Sequence, residues 1–393
     1  MRAHARWLRR HWGRVVAGIG IGTAAVLSAP IVGATTLAAP AAAATTCEAA
    51  GSTGLTAAIV ATSGDVISTT TVTASACDVG IYVGSTVTGV SIVHTTVTKA
   101  KFQGIFAEDS SHLVIRTSTV EDNGFTTLTT TPKAPTLGTG KLHSDVSDSF
   151  GISLFGVSDS SVVNNTIHDN GRGGIGIMDN GPNDPGAMTA NQDKSAPLVA
   201  SSHDSVVGNT ISTNFAGCGL VVATQNFGGA LSDLLLASNK ITGALPPPGE
   251  NGPVVGGLVV AADTPHSSVT DVIVAGNTVS DSFEGGIVVN AESFDSSTSQ
   301  ITIFHNTLSG NNWGSQEAPH TAGIIVYANP ATTPPNTSAP INLGTVIFSN
   351  GITGQYNGIW SQGHNSPFAF ANHITVTSGG APVTHVTTAT AGA

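Results

Sequence analysis

Charged side chains are scarce in this 393-residue chain, where Asp, Glu, Lys and Arg together make up 9%, against about 25% in an ordinary soluble domain. Aromatic residues are also few, at 5%, and the chain has only 3 cysteines and 3 methionines. The apolar fraction of 40% is still large enough for a substantial core, which argues against low-hydrophobicity disorder. Together with 47 glycines, this composition indicates a globular or solenoid body.

Basic residues are the rarer of the two charged groups, and 5 of the 13 lie within the first 14 positions. After residue 44 the chain keeps 8 basic against 24 acidic residues, a net charge near −16. A sequence-independent nucleic-acid binder needs a basic surface that displaces counterions from phosphate, and a membrane-binding polybasic patch needs the same charge. The charge balance therefore argues against both kinds of partner.

The first 44 residues have the pattern of a secretory signal peptide. Five arginines stand at the start, residues 15–43 carry no charge, and Ala38–Ala44 offers small residues for cleavage near its end. The uncharged run is also long enough for a signal anchor, but Pro30, Pro40 and many Gly and Ala make it a poor permanent helix. We predict a secreted, extracellular protein that has no membrane attachment after cleavage.

The three cysteines all follow this segment, so an exported chain would carry them into oxidising conditions. Cys47 and Cys77 flank an N-terminal segment and are predicted to close it as a disulfide. Cys218 lies in an apolar run, where a small buried side chain is the expected role. No cysteine has the spacing of a metal site, and none is predicted.

A glycine followed by Ile or Leu opens an apolar segment nine times along the chain. These pairs are Gly80-Ile81, Gly104-Ile105, Gly151-Ile152, Gly174-Ile175, Gly219-Leu220, Gly257-Leu258, Gly286-Ile287, Gly323-Ile324 and Gly358-Ile359. A second motif, Asn-polar-apolar, precedes most of them and begins at Asn165, Asn209, Asn239, Asn277, Asn306 and Asn350. The shortest steps between glycines are 23 and 24 residues, with no helical period between them. Coils of short strands at this spacing are typical of a parallel β-helix.

Longer steps between glycines are explained as the same coil with an inserted loop. The inserts are rich in Pro, Gly, Ser and Thr and fall at 125–149, 181–203, 244–254, 312–321 and 328–340. The two longest steps, of 47 and 45 residues, could instead hide a degenerate coil. In each coil the residue after Gly and the residue two further on should point into the bore. The Asn column should form a ladder of hydrogen-bonded amides.

The stretch Ser161–Ile175 carries the pattern Ser-x-Val-x-x-Asn-Thr-Ile-x-x-Asn-Gly, followed by Gly-Ile. It resembles the right-handed parallel β-helix repeats of the pectate-lyase-like superfamily, which includes NosD-type proteins and carbohydrate-active enzymes. We therefore expect an all-β, right-handed, single-stranded parallel β-helix with an N-terminal cap. The expected segments are a signal peptide at 1–44, the cap at 45–69, the β-helix at 70–376 and a flexible tail at 377–393. The cap contains the one plausible helical run after the signal peptide, at 48–62.

The resemblance implies that a polysaccharide binds along one outer sheet face, between loops. Six positions after the later glycines stands a polar column, formed by Asn180, Gln225, Asp263, Glu292, Asn329 and His364. Acids and amides in a row suit sugar hydroxyls, and paired carboxylates suit acid–base chemistry. The alternative is a row of solvated turn residues.

An apolar column two positions after the same glycines should point outward. It consists of Val221, Val259, Val288, Ile325 and Trp360, with Tyr327 nearby. An apolar outer face needs cover, so either a long loop lies over it or it forms a platform for sugar rings. We expect loop cover for the column as a whole, and we name Tyr327 and Trp360 as candidate sugar contacts.

The turn before Gly174 holds His168, Asp169 and Arg172, and Asp179 follows the next strand. Superfamily lyases use Arg or Lys to abstract a proton next to a carboxylate, so the resemblance makes these four the catalytic candidates. Asp179 and Asp184 could donate oxygens to Ca²⁺; no other cofactor is expected. The alternative is a surface ion pair between Arg172 and Asp169.

The sequence therefore predicts a monomer that binds, and either cleaves or only holds, an extracellular polysaccharide. As an enzyme it would be a polysaccharide lyase or a glycoside hydrolase. The other alternative is a non-catalytic adhesion or structural β-helix at the cell surface. Because a body near −16 repels acidic polymers, a neutral or amino-sugar polymer is the more favourable partner.

Overall fold

The structure is a computed structural model, and it describes the chain from residue 36 with several gaps. The described residues are 36–37, 42–43, 46–51, 53–124, 150–171, 173–181, 198–214, 217–244, 256–312, 322–328, 337–363, 367–377, 379–384 and 387–388. Within these ranges the regular structure consists of β-strands and no helix. The strands form three sheets, here called sheets I, II and III, which are parallel except for one antiparallel pair at the N-terminal end of sheet I.

Sheet I contains the Gly-Ile segments. Its strands, in spatial order, are β3 (Glu48–Ala49), β4 (Thr56–Ala61), β7 (Val79–Val83), β10 (Gln103–Glu108), β13 (Ile152–Phe155), β16 (Ile175–Met178), β20 (Leu220–Ala223), β23 (Leu258–Ala262), β26 (Ile287–Ala291), β30 (Ala322–Ala328), β34 (Asn357–Gly363) and β37 (Val383–Thr384).

Sheet II contains the short β-branched strands that precede each Asn. Its strands, in chain order, are β1 (Thr36–Leu37), β5 (Val66–Ser68), β8 (Ser91–Val93), β11 (Val114–Arg116), β14 (Ser161–Val163), β17 (Ser201–Ser202), β18 (Ser205–Val207), β21 (Ala230–Ala237), β24 (Ser268–Ala275), β27 (Ser297–Ser299), β28 (Thr302–Phe304), β31 (Ile341–Leu343), β32 (Val346–Phe348), β35 (Phe368–Phe370) and β38 (Thr387–Thr388).

Sheet III contains the strands that follow each Asn. They are β2 (Ala42–Ala43), β6 (Thr71–Thr73), β9 (Thr96–Thr98), β12 (Thr119–Glu121), β15 (Thr166–His168), β19 (Thr210–Ser212), β22 (Lys240–Thr242), β25 (Thr278–Ser280), β29 (Thr307–Ser309), β33 (Gly351–Gln355) and β36 (His373–Val376).

The chain visits sheets I, II and III in that order, and one such round is a coil. The described strands complete ten coils, from β4–β6 to β34–β36. We call the turn from sheet I to II corner 1, from II to III corner 2, and from III to I corner 3. The expected parallel β-helix is confirmed, and neither long step hides a coil, because β10 pairs directly with β13 and β16 with β20.

The bore is filled by the residues that the period of two predicted. Ile81 and Val83 of β7 stack under Ile105 and Ala107 of β10, and the same two columns continue to Ile359 of β34. Inward Val and Ile from sheets II and III complete one continuous apolar core. Because each side chain packs on its equivalent in the next coil, the repeat itself provides the core.

Corner 2 has the same length in all ten described coils: two residues separate the sheet II strand from the sheet III strand. The first of the two always has positive φ, as in Gly208, Ser238 and Gly276. The second is Asn in the last seven of these coils. Its amide bonds to the Asn of the next coil, from Asn165 through to Asn372, at 2.9–3.0 Å. The predicted ladder is confirmed.

Corners 1 and 3 vary in length, and every gap of more than five residues beyond position 53 lies at one of them. Residues 182–197 and 329–336 connect sheet I to sheet II, whereas 125–149, 245–255 and 313–321 connect sheet III to sheet I. The inserts therefore flank the two long edges of sheet I. A second amide column, Asn123, Asn170 and Asn214, spans three coils at corner 3 with side-chain bonds of 3.0 Å.

The N-terminal helix expected over 48–62 is wrong. Strand β3 pairs antiparallel with β4, and β4 pairs in parallel with β7, so the first coil begins at Thr56, inside the predicted cap. Ala57, Ile59 and Ala61 alternate with the period of a strand. Pairing with the open edge of β7 outweighs the helix propensity of alanine. Cys47 and Cys77 form the predicted disulfide, with Cα atoms 5.6 Å apart.

The two ends of the solenoid carry short strands outside the predicted β-helix limits. Strands β1 and β2, within the predicted signal peptide, pair with β5 and β6. Strands β37 and β38, within the predicted tail, pair with β34 and β35. Part of the segment 377–393 therefore continues the coil instead of leaving it.

Candidate functional site

Backbone hydrogen bonds connect the corner-1 turns of three successive coils. Gly228 N–H donates to Pro265 O at 2.9 Å, and His266 N–H donates to Phe294 O at 3.1 Å. Gly228, His266 and Asp295 all have positive φ, of 55–73°. These residues therefore occupy the same position of the turn in coils that begin at β20, β23 and β26.

An aromatic ladder results from this alignment. The His266 ring lies between Phe227, with centroids 4.7 Å apart, and Phe294, with centroids 5.3 Å apart. His266 Nδ1 lies 3.4 Å from Asp295 Oδ2, which orients the imidazole. The Phe227 side chain stays exposed, at 48%. His266 is exposed as well, whereas Phe294 is half-buried, so the ladder offers ring surface to solvent mainly at Phe227 and His266.

Polar side chains run beside the rings. Gln225, Asp263 and Glu292 each follow the end of a sheet I strand, and the register of β20, β23 and β26 places them in one row. Asp263 and Glu292 are exposed, and Gln225 is half-buried. We call the six residues Gln225, Phe227, Asp263, His266, Glu292 and Phe294 the corner-1 strip. The structure thus brings together three members of the predicted polar column.

Glu292 is held by its neighbours on sheet I. Asn290 Nδ2 donates to Glu292 Oε1 at 2.8 Å. Tyr327 lies next to Asn290 in the strand register, and burial together with the charge of Glu292 raises the pKa of its phenol. The phenol therefore stays protonated and can donate. Tyr327 stacks on Trp360 with ring centroids 6.4 Å apart.

Asn290 also presents an unused acceptor. Its side chain is 7% exposed, and its Oδ1 has no hydrogen-bond partner among the described residues. A buried carbonyl without a partner costs about 1–3 kcal/mol, and because this oxygen has almost no accessible surface, a ligand could reach it only if neighbouring atoms moved. This oxygen lies at the sheet I edge of the corner-1 strip.

Asp179 lies at corner 1 as well, one coil before the strip, but it is 1% exposed. Its oxygens accept from Gln225 N–H at 2.6 Å and Asn226 Nδ2 at 2.7 Å. Burial raises its pKa to about 6 despite these hydrogen bonds. The carboxylate therefore positions the turn that carries Gln225 and Phe227. Asn180, 9% exposed, donates from Nδ2 to Asp109 Oδ1 at 2.9 Å.

His168 and Asp169 lie at corner 3, on the opposite edge of sheet I from Asp179. His168 Nδ1 lies 2.7 Å from Asp169 Oδ2, and Nε2 lies 3.1 Å from Glu121 Oε2. Burial raises the pKa of Asp169, but hydrogen bonds from Thr213 and His168 outweigh this and hold it below the ordinary value. Asp169 has a φ of 53° and occupies the turn position of Asp122 and Thr213. The structure does not bring this pair together with Asp179.

The apolar column on the outer face of sheet I is buried. Val221, Val259, Val288, Ile325 and Trp360 belong to one cluster with Phe106, Phe150 and Phe155 of earlier coils. Trp360 is only 5% exposed. The column as a whole is therefore not an exposed platform for sugar rings, and Tyr327, half-buried, is the one candidate there with accessible surface.

Several predicted positions lie outside the described residues: Arg172, Asp184, Asn329 and His364. A Ca²⁺ site at Asp179 and Asp184 is thus described only for Asp179, whose oxygens already accept two hydrogen bonds from the next coil. The described part of the chain contains no group of three or more His, Cys, Asp or Glu arranged for a metal ion. It also contains no helix long and apolar enough to cross a membrane.

The aromatic ladder was missed from the sequence, although a signal for it exists. Phe227, Pro265 and Phe294 stand eight positions after Gly219, Gly257 and Gly286. Gly228, His266 and Asp295 stand nine positions after the same glycines. The predicted polar column stands at the sixth position, before the turn that these residues form.

A second aromatic row lies on sheet II. The rings of Phe304, Phe348 and Phe370 stack with centroids 5.0 and 5.2 Å apart and planes within 5° of parallel. Because each ring covers the face of the next, little ring face is free for a ligand. Phe368, 40% exposed, is the accessible edge of this row.

Comparison with known proteins agrees with this architecture. Residues 56–245 match the family model described as "Right handed beta helix region". The A-module of the Azotobacter vinelandii mannuronan C-5 epimerase AlgE4 superposes with a TM-score of 0.50 at 13% identity, covering 85% of each chain. The surface adhesin PfbA of Streptococcus pneumoniae superposes with a TM-score of 0.39 at 10% identity, covering 85% of this chain and 83% of the adhesin. No curated protein sequence matches the chain. The protein has the right-handed parallel β-helix fold.

Proposed function

We propose that this is a secreted, monomeric glycan-binding protein that holds a polysaccharide along the corner-1 strip. The observation that carries the proposal is the ladder of Phe227, His266 and Phe294, in which the first two rings are exposed and the third is half-buried. Faces and edges of aromatic rings offer apolar contact to sugar rings, and a neighbouring row of amide and carboxylate groups offers hydrogen bonds to hydroxyls. Both rows run along the solenoid axis, so they suit an extended chain.

The strip has a geometry that a polymer can follow. Neighbouring coils of a β-helix lie about 4.8 Å apart, so three coils provide about 10 Å of repeated contact. Ring and polar group recur together in each coil: Phe227 with Gln225, His266 with Asp263, and Phe294 with Glu292. Hydrogen bonds from Thr264 Oγ1 to Asn226 O and from Asp263 N–H to Thr224 Oγ1 hold the first two turns together. The surface is thus preorganised, which lowers the entropy cost of binding.

Binding is better supported than cleavage. Three of the four predicted catalytic residues are divided between corner 1 (Asp179) and corner 3 (His168, Asp169), and each of them already forms hydrogen bonds or ion pairs with neighbouring residues. The fourth, Arg172, lies outside the described residues. Glu292, held by Asn290 beside Tyr327, is the carboxylate with the most defined setting on the strip. If the protein cleaves its glycan as a lyase or hydrolase, Glu292 is the residue we expect to be required.

The experiment is a binding screen with purified protein on a panel of neutral, acidic and amino polysaccharides, with reducing ends and unsaturated products measured in parallel. We expect Phe227→Ala to reduce retention on the bound glycan by about tenfold, because it removes an exposed ring. Phe368→Ala removes a similarly exposed phenylalanine from sheet II and is the matched control. Equal loss in both variants, or loss only with Phe368→Ala, would refute the corner-1 site.

Retention without new chain ends would establish a binding protein. New ends that disappear with Glu292→Gln would establish an enzyme. Glu292→Gln keeps the size of the side chain and the amide contact from Asn290, so loss of turnover with retained binding separates chemistry from recognition.

A further inference from the structure

The outer face of sheet III carries hydroxyl side chains in a repeated pattern. Each of its strands from β6 to β36 begins with an outward residue, continues with one that packs in the bore, and has a second outward residue next. Strand β15 shows the pattern with Thr166, Ile167 and His168. Because the strands pair in register, the outward residues form two columns along the solenoid axis, here called columns A and B.

The two columns hold twenty residues, of which fifteen are Thr or Ser. Column A consists of Thr71, Thr96, Thr119, Thr166, Thr210, Lys240, Thr278, Thr307, Gly351 and His373. Column B consists of Thr73, Thr98, Glu121, His168, Ser212, Thr242, Ser280, Ser309, Thr353 and Thr375.

Column A is open to solvent over most of its length. Thr166, Thr210, Thr278 and Thr307 are exposed, and the column B residue of each of these strands is half-buried. Small side chains therefore cover this face, and their hydroxyl and methyl groups are accessible from outside.

The spacing of the hydroxyls is regular in two directions. Successive coils lie about 4.8 Å apart, and two outward residues of one strand lie about 6.6 Å apart. The pairing shows no register shift from β6 to Thr353 of β33. The Asn ladder borders the sheet at corner 2, and side-chain ladders of this kind hold long sheets flat against their natural twist. Columns A and B thus form a two-dimensional lattice of hydroxyl groups.

Threonine suits a surface that binds ordered water. Its branched Cβ restricts χ1, so the hydroxyl and the methyl group of each residue keep defined positions. The hydroxyl donates one hydrogen bond and accepts two, which matches water molecules that offer both kinds of partner. On the prism face of hexagonal ice the oxygen atoms repeat at distances similar to those of the two columns, also in perpendicular directions.

The composition of the face argues against other kinds of partner. None of the twenty positions holds Phe, Tyr, Trp, Met or Arg. Protein interfaces take most of their binding energy from Trp, Tyr and Arg, and platforms for sugar rings use aromatic side chains. A crystalline solid whose small repeats match the lattice needs neither.

We infer that the outer face of sheet III binds ice. The surface is separate from the corner-1 strip, since corner 1 joins the other two sheets, and the inference does not depend on the proposed function. Glu121 and His168, 3.1 Å apart, interrupt column B, and Lys240 interrupts column A. The region with the most complete lattice therefore lies beyond Lys240, on β25 and β29, with both columns filled by Thr and Ser.

The test uses the full protein and a single seeded ice crystal in a cooling stage. We expect a gap between the melting temperature of the crystal and the temperature at which it grows, compared with an equal concentration of serum albumin. Fluorescently labelled protein should also adsorb to the prism faces of a macroscopic ice crystal. A parent protein that behaves like albumin in both measurements would overturn the inference.

Three variants locate the activity on the lattice. Thr278→Lys should remove most of the gap, because a long charged side chain holds the ice surface away from its neighbours. Thr86→Lys adds the same side chain at an exposed position of corner 1 and should leave the gap unchanged. Lys240→Thr should widen the gap, since it joins the threonines of column A from Thr71 to Thr307 without interruption.

All three substitutions fall on exposed residues, so the variants should keep the urea midpoint of the parent. Equal gaps for Thr278→Lys and Thr86→Lys, or no gain with Lys240→Thr, would overturn the inference.

Two further measurements separate this face from the corner-1 strip. Phe227→Ala should leave the ice activity intact even where it abolishes retention on a glycan. A parent that shows no ice activity but binds microcrystalline cellulose or chitin in a Thr278→Lys-sensitive way would use sheet III for a crystalline glycan, and the ice inference would be wrong.

Discussion

Asn239 donates from its side-chain Nδ2 to Oδ1 of Asn277 at 3.0 Å, and its backbone N–H donates to the same oxygen at 2.9 Å. Asn209 makes the identical pair of bonds to Asn239. Each amide also donates to a backbone carbonyl, in this case Val206 O at 2.9 Å. The column therefore fixes both spacing and register of the coils with groups that are fully bonded although buried.

Replacing Asn239 by Ala should destabilise the protein by about 3 kcal/mol, because it removes the acceptor of the buried Asn209 backbone N–H and the side-chain bonds to Asn209, Asn277 and Val206 O. Asn372→Ala removes equivalent bonds at the half-exposed end of the ladder, where water can replace them, and should cost about 1 kcal/mol. Urea unfolding of both variants measures the difference. Equal losses would mean that the ladder contributes no more when buried than when hydrated.

Gly257→Ala should be among the most damaging single methyl additions. The new Cβ would lie 2.2 Å from Val279 Cγ1 and 2.9 Å from the backbone O of Gly286, and the backbone cannot move without breaking the sheet. We expect a loss of about 2–3 kcal/mol. Gly351→Ala is the control, since a Cβ there meets nothing within 4 Å. Its stability should stay unchanged or rise slightly in the same unfolding series.

Asp204 should make stability depend on pH. Its carboxyl is 2% exposed, Oδ1 accepts from Ser160 N–H at 2.9 Å, and Oδ2 has no partner among the described residues. Burial raises its pKa to about 8, from 3.8, against the Ser160 hydrogen bond and with help from the charge of Asp159. Between pH 4 and 8 the folded protein keeps a proton that the unfolded chain has released, so stability falls across this window.

The variant Asp204→Asn should lose most of this fall and be several kcal/mol more stable than the parent at pH 8, but similar at pH 4. A smaller fall between pH 4 and 6 should remain, because the pKa of Asp179 is raised to about 6. Thermal unfolding from pH 4 to 9 checks both statements. Parallel curves for the parent and the variant would show that Asp204 is ionised in the folded state.

Reducing the Cys47–Cys77 disulfide should lower the free energy of unfolding by about 3 kcal/mol, since the bridge closes a loop across 30 positions at the first coil. The double variant Cys47→Ser/Cys77→Ser should match the reduced parent. Cys218→Ser is the control, because Cys218 takes no part in this bridge and its replacement should leave the response to reductant intact. Urea midpoints with and without reductant measure the effect; no shift in the parent would contradict the prediction.

Features that repeat at fixed spacing within one coil could be predicted from the sequence. Each Asn motif stands at a constant distance from the two strands that flank corner 2, and each Gly-Ile pair opens a sheet I strand, so the bore residues and the ladder follow from the repeated motifs alone. The helix expected at 48–62 failed because its outcome depends on the neighbouring edge of β7, which local propensity does not contain.

Contacts across corners 1 and 3 could not be predicted in the same way. His168 contacts Glu121 of the preceding coil across the insert 125–149 at corner 3. Phe227 and His266 stand at different positions after their glycines, the eighth and the ninth, so an alignment by position does not pair them. Asp179 is buried against Asn226 of the following coil. The sequence, which suggests a catalytic carboxylate at this position, does not contain that contact. The row Gln225, Asp263 and Glu292 was found because each residue stands next to a strand end, where the alignment is still reliable.

The constant two-residue turn at corner 2 has a consequence for how such a protein can diversify. A substitution there changes contacts with the coils on both sides, so we expect the sequence of this edge to change slowly in evolution. Corners 1 and 3 accept segments of different length without disturbing the stacking. New binding specificities can therefore arise by exchange of whole loops while the spacing between the coils stays the same.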